Sequence, residues 1–73
     1  MEMTRDELAR IGRLLYGREW QAPLAASLGI SRSAVNQWQT GKRPVPEARA
    51  EQVRALARKR AIDIASALIG MHG

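Results

Sequence analysis

The chain has no cysteine, a single histidine, three prolines and no long apolar run. Without cysteine, neither a disulfide framework nor a thiolate metal site can reinforce the fold, which suits a reducing cytoplasm. No apolar stretch approaches the roughly 18 residues of a membrane span, and the acidic Glu2 and Asp6 argue against a signal peptide. The lone histidine, His72, stands one residue from the chain end. No nucleophile with a base, no metal-ligand spacing and no glycine-rich phosphate loop after a strand is present. These absences exclude an obvious catalytic, cofactor or metal site and offer no ligand pocket. A cytoplasmic, non-enzymatic protein is expected.

Seventy-three residues make one domain (1–73), close to the lower limit for a self-sufficient core, so stability must come from helix packing, with help available from a partner subunit. Twelve Lys and Arg against seven Asp and Glu leave a net charge of +5. The distribution matters more than the total. Ser31 to Pro46 carries Arg32, Lys42 and Arg43 without one acid, whereas the first helix mixes Asp6 and Glu7 with Arg10 and Arg13. A patch of one sign points to phosphate.

Thr4 to Glu7 is a capping box, so a first helix starts at about Arg5. Its apolar residues Leu8, Ile11, Leu14 and Leu15 recur at intervals of three and four, with Gly12 on the same side where another helix can approach closely. Tyr16-Gly17 ends it. Arg10 and Arg13 read as a solvated face, and Trp20 after the Gly17-Arg18-Glu19 connection packs into the core against the first helix.

Two short helices follow within 21–40, broken at Leu28-Gly29-Ile30. Gly29 is placed to take the left-handed conformation that ends one helix, and Ser31 to cap the next. Pro23 is tolerated in a first helical turn, which puts the helix start near Glu19 or Trp20. Leu24, Ala25 and Leu28 share one face and meet Ala34, Val35 and Trp38 across the turn, where the small Ala25 allows close approach. At about 100° per residue, Arg32, Ser33, Asn36, Gln37 and Thr40 fall opposite that core face. All of them can hydrogen-bond and none is acidic, in a chain that is 26% charged. Such a surface suits base edges in a major groove.

Gln21 followed by Leu24-Ala25, the Leu28-Gly29-Ile30 turn, Val35 and Trp38 resemble the DNA-binding helix-turn-helix, in particular the Cro-like and lambda-repressor-like family of phage and bacterial regulators. The Thr40-Gly41-Lys42-Arg43-Pro44-Val45-Pro46 segment is similar to the family's exit from its recognition helix. Pro23 departs from the commoner pattern, and the resemblance covers roughly Thr4 to Arg60. It implies an all-α domain of four to five helices that binds double-stranded DNA as a transcriptional repressor or autoregulator. By the same resemblance Arg32, Ser33 and Gln37, helped by Asn36, read bases, while Gln21, Thr40, Lys42 and Arg43 hold phosphates.

From Glu47 a long helix runs to Ile69 without Gly or Pro. Val53, Leu56, Ala57, Ala61, Ile64 and Leu68 share one side, expected to close the core over the preceding helices. Ile62, Ala65 and Ile69 come up on the opposite side, where a second copy of the chain could bury them as a homodimer seam. The rival function is a protein-interaction module, since helix-turn-helix folds also serve as docking domains.

Overall fold

A computed structural model of the chain describes residues 2–70. It is all-helical, with no strand among them: α1 (Arg5–Tyr16), α2 (Gln21–Leu28), α3 (Arg32–Gln39) and α4 (Glu47–Gly70). Of the residues discussed above, His72 lies outside the described part.

Local signals set the helix ends. The Thr4 Oγ1 accepts from the Glu7 N–H at 3.1 Å, and the Ser31 Oγ accepts from the Ala34 N–H at 3.2 Å. Each cap satisfies one of the amides that a helix start leaves without an intrahelical partner. Gly29 adopts φ 68°, ψ 31°, and the Gly29 and Ile30 N–H groups close back onto the carbonyls of Ala26 and Ala25 at 3.2 and 3.0 Å. That paired closure is a Schellman motif, available because glycine carries no Cβ to oppose the left-handed conformation. α2 begins at Gln21, a residue or two later than the sequence suggests, with Pro23 third in the helix, where its missing N–H costs no hydrogen bond.

The core joins all four helices. Leu8, Leu24, Val35 and Val53 are completely buried, with Trp20, Trp38 and Ala25 packed around them. Gly12 faces the Trp20 indole so closely that an added Cβ would overlap the ring, which makes glycine the residue that admits Trp20 to the core. Leu14 departs from expectation at 76% exposed. The buried face of α1 is centred on Leu8, Gly12 and Leu15, and Leu14 sits roughly 125° round the helix from it.

Three arginines tie the C-terminal ends of the short helices to distant elements. Arg60 donates to the Leu15 carbonyl of α1 at 2.9 Å, Arg49 to the Leu28 carbonyl of α2 at 3.1 Å, and Arg5 to the Thr40 carbonyl just past α3 at 3.2 Å. Each places a cation where a helix presents unpaired carbonyls and the negative end of its dipole. Between α1 and α2, the Tyr16 and Ser27 hydroxyls share a further hydrogen bond of 2.6 Å.

The expected closure of the core by the whole of α4 does not occur. Ala50 and Val53 are buried and Leu56 and Ala57 are half-buried, but every described residue from Arg58 onward is exposed, including Ala61, Ile64 and Leu68. Length explains this. α4 has 24 residues against 12 in α1, about 36 Å against about 18 Å of helix, so α1 ends where Arg60 caps Leu15 and no described residue lies beyond to cover the rest. The projection accounts for the elongated outline of 48 × 25 × 20 Å. Among the described residues, no helix is long and apolar enough to cross a membrane.

Candidate nucleic-acid interface

The orientation of α3 follows from two side chains. Val35 is fully buried and Trp38 is 6% exposed, and together they turn the helix so that Arg32, Ser33, Asn36 and Thr40 are exposed and Gln37 is half-buried. This is the polar surface expected from the sequence. Gly41, at φ 81°, ends the helix, and the Arg43 N–H closes onto the Gln37 carbonyl at 3.1 Å. Lys42 and Arg43 are exposed on the segment that follows.

Two concavities flank α3. One brings Arg32 together with Gln21, Arg13, Arg18, Glu19, Trp20 and Gln39; the other groups Ser33, Asn36 and Gln37 with Thr40, Gly41 and Lys42. The sequence-derived division between base readers and phosphate holders is therefore not a spatial one. Arg32 stands beside Gln21, and Thr40 and Lys42 stand beside the three other polar residues of α3. Arg43 lines neither concavity. The Thr40 hydroxyl has its proton directed at the backbone carbonyls of Asn36 and Gln37, at 3.0 and 3.3 Å. A phosphate oxygen needs a donor, so Thr40 can offer its hydroxyl to one only by giving up those bonds.

The cations divide by partner. Arg5, Arg49 and Arg60 bind helix-terminal carbonyls. Arg54 and Arg58 pair with Glu47 and Glu51, and Lys59 pairs with Asp63, all along α4. The Arg58 guanidinium, hydrogen-bonded to Glu51 and attracting its charge, holds that carboxyl below its ordinary range. The other six, Arg10, Arg13, Arg18, Arg32, Lys42 and Arg43, form no ion pair among the described residues. They lie on α1, the connection to α2, α3 and the segment after α3, so the unpaired positive charge is gathered on the helix-turn-helix side.

Sequence reasoning assigned Arg13 to a solvated face rather than to DNA contact, and gave Arg18 and Gln39 no place on this surface. Arg13 and Gln39 line both the Arg32 concavity and a neighbouring one that contains Arg5 and Arg10. A usable signal existed: the acids of α1 stop at Glu7, and residues 8–18 carry Arg10, Arg13 and Arg18 with no acid.

Far along α4, Ile62, Ala65 and Ile69 are exposed, the two isoleucines at 65% and 74%. The expected opposite face, Ile64 and Leu68, is exposed as well, at 53% and 54%. Among the described residues, no three His, Cys, Asp or Glu side chains are grouped to hold a metal ion. No family model, curated protein or solved structure matches the chain, so its function is to be read from the placement of these side chains.

Proposed function

We propose that the chain is a sequence-specific, double-stranded DNA-binding regulator, a small phage-like repressor or autoregulator of the cytoplasm that reads a palindromic operator as a homodimer through the major groove. The observation that carries this reading is the gathering of six cations, without an ion pair among the described residues, around an exposed helix face free of acids, while the cations of α4 are matched to carboxylates or to helix-terminal carbonyls. A polyanion with readable edges is the ligand that uses both features.

In this reading α3 lies in the major groove. Arg32 can donate both arms of its guanidinium to guanine O6 and N7, Asn36 and Gln37 can each make the paired contact that adenine offers, and Ser33 suits either base. Gln21, Lys42 and Arg43 hold the sugar–phosphate backbone on the two sides of the groove. Thr40 contributes to backbone binding only if its hydroxyl turns away from the helix.

Selection of bound sites from a random duplex pool tests the reading directly, since it reports whether sequence is read and how far apart the half-sites stand. Arg32→Ala and Gln37→Ala should each weaken binding to the selected site by about 1–3 kcal/mol and relax preference at one or two base pairs, without loss of helicity. Unchanged binding in both variants would remove α3 as the reader.

The exposed isoleucines and leucine of distal α4 favour a second reading, a protein-docking module. Salt separates the two. Duplex binding weakens steeply as salt rises, whereas docking through apolar side chains is nearly indifferent to it.

A further inference from the structure

We infer that the corner between α1 and α2 is a second binding site for the DNA backbone, with Arg13 and Arg18 as its phosphate ligands. The inference rests on the DNA-binding reading and extends it to residues that neither the helix-turn-helix pattern nor the polar face of α3 includes.

Arg13 stands in the last turn of α1 and Arg18 in the connection to α2, yet both line the concavity that holds Gln21 and Arg32, the first residues of α2 and α3. Three arginines thus line one hollow. A single carboxylate, Glu19, shares it and forms no ion pair with any of them. Like charges held together raise the free energy of the free protein, and a bound polyanion relieves exactly that repulsion at no cost in rearrangement if the frame is rigid.

The frame is rigid. Trp20 forms part of the hollow, and the residue is only 3% exposed, with its indole against Gly12 in a fit that leaves no room for a Cβ. The Tyr16–Ser27 hydrogen bond of 2.6 Å and the Arg60 bond to the Leu15 carbonyl hold the end of α1 in place on either side. Because Arg32 borders the same hollow, the phosphates bound at the corner belong to the duplex that α3 reads.

The test measures binding to the selected operator and to an unrelated duplex across a salt series, for Arg13→Gln, Arg18→Gln and the double variant. Each lost contact should flatten the slope of log affinity against log salt by about 0.9, which near 0.1 M salt is about an eightfold loss on both duplexes, and the double variant should lose about twice the slope. The preference for operator over unrelated duplex should stay constant. Arg13→Lys and Arg18→Lys should keep most of the slope, because charge rather than shape is what the phosphate takes, and Lys59→Gln, whose charge is paired with Asp63, should behave as wild type. Thermal melting of each variant checks that the fold is intact. Slopes unchanged in Arg13→Gln and Arg18→Gln, with Lys42→Gln and Arg43→Gln still lowering them, would overturn the corner site and leave the DNA reading standing. A changed base preference without a changed slope would also overturn it, by placing the arginines in a groove. Wild-type protein that binds duplex without steep salt dependence would sink the DNA reading itself. Titration of inorganic phosphate alone separates a duplex-backbone site from a free-phosphate site: saturable binding at micromolar phosphate that Arg13→Gln abolishes, with duplex affinity unaffected, would reject the assignment to DNA.

Discussion

Trp38→Ala should bring the domain close to unfolding. Truncating a buried tryptophan typically costs about 3–5 kcal/mol, through lost burial and the cavity left behind. Domains of this kind have total stabilities of only about 5–15 kcal/mol, and a chain this short belongs near the lower end. Trp38 is 6% exposed and shares the core with Val35, Leu24 and Trp20. At this size about 1 kcal/mol moves the melting midpoint by roughly 4–8 °C, so a drop of more than about 12 °C in circular dichroism melts is expected. A midpoint within a few degrees of wild type would mean that the indole contributes little to the core and that the rotation of α3 is set by something else.

A double substitution at the other end of the molecule, Ile62→Asp with Ile69→Asp, should leave the melting of a single domain nearly intact and remove two-site binding. Both side chains are exposed within one chain, at 65% and 74%, so intramolecular packing does not depend on them. They are seven residues apart on one face with Ala65 between, a narrow seam along which a second α4 can approach. Each isoleucine buried there stabilises association by roughly 1.5–3 kcal/mol. Two linked half-sites bind more tightly than one by a factor that reaches about 10²–10⁴, and the variant should lose that factor on a full palindrome while keeping half-site affinity. Sedimentation should report a monomer. The parallel pair Ile64→Asp and Leu68→Asp tells which exposed face forms the seam. Wild-type protein that sediments as a monomer at tens of micromolar and protects one half-site would end the dimer proposal.

What the sequence revealed of this fold was mostly local. Thr4, Ser31 and Gly29 act within a few residues of themselves, through a cap or a left-handed turn, and their roles were legible from residue type and position alone. The outward set on α3 was legible for the same reason, because Val35 and Trp38 declare the inward face. Leu14 shows the limit of periodicity: spacing by three from Ile11 placed it near the apolar stripe, but the stripe's centre is decided by where Trp20 meets Gly12. Distal α4 shows another. A periodic apolar face says that something can cover a helix, and only the relative lengths of α1 and α4 show that nothing among the described residues does. The helix-capping roles of Arg5, Arg49 and Arg60 span 35, 21 and 45 residues of sequence, beyond any local pattern. Arg13 and Arg18 join Gln21 and Arg32 only once the corner is folded.

The separation of cations by partner also fixes how the molecule responds to acid. No charged or polar side chain is buried among the described residues, and the three capping arginines hold neutral carbonyls, which keep accepting hydrogen bonds at low pH. Glu51, with its carboxyl held low by Arg58, adds stability above the ordinary carboxylate range that disappears as pH falls through its lowered value, but this pair is on the open surface of α4. Acid therefore has no buried ion to uncover. It removes the compensating negative charge instead, and the remaining repulsion is concentrated on the helix-turn-helix side, where Arg13, Arg18 and Arg32 line one hollow without ion pairs among the described residues. The helical signal should persist at pH 3, and sulfate should raise the melting midpoint there more than chloride at equal ionic strength, because a divalent oxyanion can sit between the guanidinium groups. Equal effects of the two salts would mean that the basic side is not the acid-sensitive part of the molecule.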